Sequence, residues 1–264
     1  MFWVLLLLVS WFVAIASCAR LCLAATAVAA VDHAVPDVPP GDAGLTLHQA
    51  AFLSGGPDRV AALTLLSMHT GRRLLLAHTG WTTVVAPHGA NALERAAIEA
   101  AGPDGQCRTT AVRAAVAAAD AVRELSERLV ASGLAVPAHA RHAVTAGVRA
   151  VRGATCLVLA LAAVSVLVLP QDPAERGRTA LWFSLPLVLT LGCLAVARME
   201  VHPYTRWATA TGRTRLRELP RLTGPAPEQT LLVSVALSGT RAIPDPELRT
   251  ALAAPHPRPA HRGQ

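Results

Sequence analysis

The chain opens with "MFWVLLLLVSWFVAIASC", a run without a single charge, and continues through "ARLCLAATAVAA" with only Arg20 to interrupt it. A helix needs about 20 mostly apolar residues to cross the hydrocarbon core of a bilayer, so this segment is long enough. A second apolar run, "TCLVLALAAVSVLVL", covers Thr155 to Leu169 and is closed by Pro170. It reaches full length if it extends back to Val148, with Arg149 and Arg152 turned toward headgroups. The third, Ala180 to Ala197, has Trp182 near one end and Arg198 at the other, the places where interface anchors stand. A mean hydropathy of +0.41 with 16% charged residues agrees that part of the chain requires an apolar solvent. No basic stretch precedes the first run, so it reads as an uncleaved anchor rather than a signal peptide. The "IASC" that ends at Cys18 imitates a lipoprotein cleavage box without the positive charge that should precede one.

The net charge of +7, carried on 24 basic residues that are all arginine, raises the question of nucleic acid. Its location answers. From Leu45 to Pro137 eight arginines face seven acids, and phosphate binding needs clustered basic charge. The excess lies beside the apolar runs, at Arg141, Arg149 and Arg152, then at Arg198, Arg206, Arg213, Arg215, Arg217 and Arg221. Arginine-rich flanks resist translocation. The loop "QDPAERGR" carries two arginines against three before the hairpin and five within about 20 residues after it. The expected topology is a plasma-membrane protein with its N-terminus outside, its main domain and C-terminus cytoplasmic, and the hairpin loop outside.

This divides the chain into an N-terminal anchor (1–30), a Pro/Gly/Asp linker (31–44), a soluble domain (45–147), a membrane hairpin (148–199), cytoplasmic helices (200–254) and a disordered tail (255–264). In the domain, Thr46 and Gln49 stand at capping-box spacing, and that helix stops at a glycine pair. Pro57 suits the first turn of the next helix. "LSGGPDRVAAL" resembles a phosphate loop, but Pro57 removes a donor, Asp58 puts negative charge where an anion would sit, and the Lys-Ser/Thr pair is missing. "GGP" is therefore expected to be a tight turn between helices. "RRLLLAHTGWTTVVAP" predicts a hairpin around Thr79-Gly80, Asn91 and Glu94 repeat the capping spacing, and one long helical stretch is expected from Thr109 to Gly133. Leu231 to Leu237 is too short to span and reads as a buried helix. The fold class is a mainly α membrane protein: three transmembrane helices plus a small cytoplasmic helical domain with one β-hairpin, winged-helix-like.

The combination of "FLSGGPDRVA", "ERLVASGL", a membrane hairpin, "TGRTRLREL" and "VALSGTRAIPDPELRTAL" resembles a family of actinobacterial membrane proteins of unknown function. The likeness covers most of the chain in the same order. It implies a topology and no catalytic residues; many members end in a long Gly/Cys-rich tail that this chain does not show. The soluble domain alone, through "LTLLSMHTGRRLLL" and "RELSERLVASGLAV", is similar in layout to bacterial relatives of the Golgi phosphoprotein 3 domain. That resemblance implies a mostly helical domain at a phospholipid surface and places no lipid-binding residue here.

A search for chemistry returns little. His139 and His142 stand at i, i+3 beside Arg141 and are half of a possible metal site, but no HExxH occurs. His69, His78 and His88 scatter around the hairpin; Cys107 precedes Arg108, which could lower its pKa. The cysteines show no CxxC spacing, and no G-x-S-x-G is present. Trp81 after a glycine reads as a hairpin packing residue. The apolar runs hold no Asp, Glu or His in their middles, which argues against an ion pathway. No catalytic, cofactor-binding or metal-ligating residue is assigned and no cofactor is expected. The expected function is a non-enzymatic, membrane-anchored interaction or scaffold module, with the bilayer and a protein as partners and no nucleic acid. The alternatives are a membrane-associated hydrolase or metal enzyme and a membrane-tethered winged-helix regulator.

Overall fold

The computed structural model describes residues 2–34, 44–167, 173–200, 207–222 and 227–253. The expectations for most of the linker, for Gln171 and Asp172 in the hairpin loop, and for the C-terminal tail lie outside the described residues. The chain divides into two compact units, one formed by 1–36 with 136–206 and the other by 37–135 with 207–264.

The first unit is three long helices: α1 (Phe2–Ala34), α7 (Ala138–Leu167) and α8 (Pro173–Glu200). α1 packs along both of the others. A Cβ on Gly147 of α7 would stand 3.0 Å from the Leu21 side chain of α1, so the absence of a side chain lets the two backbones approach. Five buried hydroxyls return a hydrogen bond to their own helix: Ser10 to the Leu6 carbonyl, Ser17 to Ala14, Thr155 to Val151, Ser165 to Leu161 and Thr190 to Leu187, all at 2.8–3.0 Å. Each of these five donors is thereby satisfied within its own helix. The outward surface is unusual for a protein in water. Phe12 is 74% exposed, Leu181 70% and Leu8 64%. Two helices, over Val4–Thr26 and Ala138–Leu167, are long and apolar enough to cross a membrane. The apolar stretch of α8, Leu181–Val196, is shorter, so two of the three expected spans meet the length.

The second unit is mainly helical with one small sheet. Its helices are α2 (Leu47–Gly55), α3 (Pro57–Thr70), α4 (Ala92–Ala101), α5 (Thr109–Ala118), α6 (Asp120–Ala131), α9 (Ala210–Leu222), α10 (Pro227–Ser238) and α11 (Pro246–Ala253). The strands β1 (Leu74–Leu76), β2 (Trp81–Val84) and β3 (Gln106–Arg108) lie in the order β1-β2-β3, antiparallel throughout, with Leu75 opposite Thr83 and Trp81 opposite Arg108. The expected hairpin is present; β3 follows "GPDG" and was not foreseen. The expected helix from Thr109 to Gly133 is broken at Ala119, whose ψ of 149° is extended. Its two halves thereby turn different faces to the core, with Val112 and Val116 in one cluster and Val122, Leu125 and Leu129 in another.

α3 is the centre. Val60 through Leu66 and Met68 are all buried, so this helix is covered on nearly every side. α10 lies against both α2 and α3. It delivers Val235 and Ala236 to the core, and Ile243 and Leu252 follow from the segment after it. Residues 45–147 and 200–254 are separate stretches in the sequence reading; in the structure, chain from both builds one interior. The two parts meet at a seam. Ala135 and Ala208 form an antiparallel bridge, the Thr209 amide donates to the Leu134 carbonyl at 3.0 Å, and the Thr209 hydroxyl donates to the Gly133 carbonyl at 2.7 Å.

Candidate functional site

The Gly-Gly-Pro stretch is the first place to look. Thr46 caps α2 with the full reciprocal box: its hydroxyl accepts from the Gln49 amide at 3.3 Å, and its amide donates to the Gln49 side chain at 2.9 Å. Gly56 then ends α2 and begins α3, with φ +73° and ψ −162°, a region that only glycine occupies without strain. A Cβ there would also overlap the Trp207 ring, and one on Gly55 would overlap the Arg59 side chain. The Arg59 guanidinium donates to the Leu237 carbonyl near the end of α10 at 2.5 Å, where the helix dipole favours a cation. Trp207 meets Phe52 edge-on, with ring centroids 5.3 Å apart. "GGPDR" is therefore a clasp. Its glycines make room for an arginine and a tryptophan that hold the C-terminal segment of the unit to its N-terminal one. No anion is needed to explain it.

A second polar cluster lies between the sheet and α4. Glu94 is buried, and its carboxylate accepts from Arg73 at 2.5 Å and from the Ala90 amide at 2.7 Å. Arg73 also donates to the His88 carbonyl, and the Asn91 side chain caps α4 by accepting from the Glu94 amide at 2.8 Å. The Asn91-Glu94 spacing thus gives half a capping box, because the carboxylate is drawn to Arg73 and Ala90. His48 lies nearby. Its Nε2 is buried without a hydrogen-bond partner among the described residues, and burial pushes its pKa below the usual histidine value, with Glu94 pulling weakly the other way. Arg73, Glu94, the Asn91 side chain and the Ala90 amide are paired with one another or with nearby backbone within the cluster.

The remaining sequence candidates do not converge. His139 and His142 stand in the first turns of α7. Among the described residues no group of three or more His, Cys, Asp or Glu side chains is placed to hold a metal. Cys107 sits opposite Thr82 on the inner face of the sheet, half-buried against the core, which is a packing position. Trp81 is 44% exposed and has the Arg108 guanidinium 5.7 Å from its ring centroid, so it caps the outer face of the sheet rather than filling the core.

One surface feature was not visible from motifs. His69, Thr70, Arg72, Leu75, Val85, Glu228 and Leu248 line an open depression of about 610 Å³ beside the outer face of the hairpin. The two aliphatic residues on the hairpin, Leu75 and Val85, are more than half exposed. Compared with family models, with curated proteins and with solved structures, the chain matches none.

Proposed function

We propose that the protein is a membrane-anchored, non-enzymatic interaction module. It is held in the plasma membrane by three crossings, with the N-terminus outside and the helical unit and C-terminus in the cytoplasm. The anchoring rests on the long, outwardly apolar helices α1 and α7, and the number of crossings rests on the seam. Ala135 and Ala208 pair within one core, so both ends of the stretch between them lie on one side of any bilayer. That stretch then crosses an even number of times: if α7 spans, α8 returns. The 28-residue length of α8 supports the return, at about 1.5 Å per residue. The arginine asymmetry supports the direction. The order helix, helix, hairpin supports a winged-helix-like description of the unit, while the balance of eight arginines against seven acids over residues 45–137 favours a protein over DNA. The likeness to actinobacterial membrane proteins is consistent with the same layout.

Two measurements test this. Impermeant thiol labelling of intact cells, in a cysteine-free background, should modify Gln171→Cys and spare Glu99→Cys until the cells are opened. Glu99 is exposed, unlike Cys107, so its silence is informative. Labelling of both from outside, or of neither, refutes the topology. Crosslinking in the native host should recover a reproducible protein neighbour of the cytoplasmic unit; its absence, together with any turnover of a substrate by the purified chain, refutes the module.

A further inference from the structure

Among the described residues of the second unit, only three large apolar side chains are exposed: Leu75, Trp81 and Val85. All three belong to the hairpin, and the β1–β2 register puts Leu75 and Thr83 side by side on the sheet face that Leu74 and Thr82 do not share. An unpartnered β face of this kind is a docking surface when something indicates what covers it. Here the indication is charge. The depression beside this face has Arg72 and Glu228 in its lining, with Leu75, Val85 and Leu248 as its apolar part. Both charged side chains belong to exposed residues, and the ion pairs of the described residues involve neither.

Arg72 carries a further mark. It is the only non-glycine residue described with a positive φ, at +55°. It stands just past the end of α3, where its amide donates to the His69 carbonyl and the next amide, of Arg73, donates to the Met68 carbonyl, both at 2.9–3.0 Å. Glycine normally fills the left-handed position of such a helix ending, because any other residue costs about 1 kcal/mol there. Gly71 is one residue too early to do so. Strain kept at an exposed charged residue beside an open apolar groove points to a use for that residue.

We infer that the groove between the hairpin and the start of α10 binds a short peptide segment of a protein partner, one that carries an acidic residue beside two aliphatic ones. The carboxylate meets Arg72, the aliphatic side chains meet Leu75, Val85 and Leu248, and Glu228 accepts from the peptide's amides or a basic flank. Glu228 is what disfavours an anionic lipid surface, since a phosphate layer covering Arg72 would also cover that carboxylate. The inference rests on the interaction-module reading and gives it a surface.

The probe is a displayed library of random twelve-residue peptides, selected on the full chain in phosphatidylcholine nanodiscs. Enrichment of sequences with Asp or Glu next to aliphatic residues is expected. Their binding should fall about tenfold or more in Leu75→Ser, as for a residue at the centre of an interface. R72E should invert the selection toward Lys or Arg. R72G should melt higher than the parent chain and still lose the acidic peptides, which separates lost recognition from lost folding. Binding of the acidic peptides by R72E and L75S as tight as by the parent chain overturns the inference, as does selection without a charge preference. So does burial of a fluorophore at Leu75→Cys on adding phosphatidylglycerol, which makes the membrane the occupant, or disulfide formation between copies of that variant, which makes it a second chain. A host neighbour that crosslinks elsewhere on the unit but not at Leu75 sinks the groove and leaves the module reading standing.

Discussion

The two units use apolar residues in opposite ways. In the three-helix unit Ser10, Ala14, Ser17, Ser165 and Thr190 are buried beside a few larger residues, Leu21, Val151, Val158 and Phe183, while Phe12 and many leucines and valines point outward. In the other the large side chains Phe52, Leu63, Leu65, Leu66 and Met68 are inside, and three hairpin residues are the exception. Among the described residues, 18 of the 21 exposed large apolar side chains belong to the first unit. In water that surface would be unstable; against lipid it costs nothing, and association depends on close packing of small residues. The lesson is that burial reports core packing in one half of this chain and, if the helices span, the surrounding solvent in the other.

The widest separation between them should come from cutting at the seam. Joining Ala135 to Trp207 through about four Gly/Ser residues is expected to give a soluble protein with a cooperative thermal melt, because paired residues across an antiparallel bridge lie only about 5 Å apart. Truncation after Arg206 should do the reverse. It removes Val235, Ile243 and Leu252, each fully or almost fully buried and worth about 1.5–3 kcal/mol, out of a total stability of about 5–15 kcal/mol. Circular dichroism and limited proteolysis distinguish a folded unit from an open one, and a folded truncation would break the claim of a shared core.

Single substitutions sharpen the contrast. Leu65→Ala, at a site with no exposure, should cost about 2–5 kcal/mol in the melt of the helical unit. Phe12→Ala, at 74% exposure, should leave stability in lipid almost unchanged. Equal losses at the two positions would mean that the outer face of α1 is covered by protein. Glu94→Gln should cost about 1.5–3 kcal/mol, since it leaves Arg73 without its carboxylate. Gly56→Ala should cost about 1–3 kcal/mol from backbone strain alone, before any displacement of Trp207.

The smallest expected effect is a pH dependence confined to the helical unit. The His48 imidazole has a lower pKa folded than unfolded, so below about pH 6.5 the unfolded chain binds the extra proton. Stability is complete above that pH and falls as pH drops through it. Melting curves of the parent and of His48→Gln between pH 7.5 and 5 should therefore converge on the acid side. A parallel pair of curves would show that His48 does not titrate differently in the two states.

Much of this was legible in the chain. The apolar runs, the Thr46 box, Pro57 at the start of α3 and the hairpin at Gly80 are local signals, each made by a few adjacent residues, and the structure shows them where their spacing predicts. The break at Ala119 was not legible, because "AAVAAADAVRE" satisfies a helical pattern throughout; which face must turn inward is decided by residues far away in sequence. The same holds for "GGPDR". Its turn could be read locally, but Trp207 and Leu237, which explain both glycines and the arginine, arrive some 150 to 180 residues later. The groove left no sequence mark, since Glu228 and Leu248 join Arg72 and Leu75 only through the folding of α10 and α11.

That late arrival has a consequence in time. A ribosome adds roughly 5–20 residues each second, so the segment from Val136 to Arg206 separates the two parts of the helical unit by roughly 4–14 seconds of synthesis. Throughout that interval α2 and α3 exist without α10, and Leu53, Leu63 and Leu65 lack part of their cover. The nascent chain must keep this half-built surface from aggregating until α10 arrives. Clients of chaperones are usually defined by size or slow folding; this one would qualify by the order of its text.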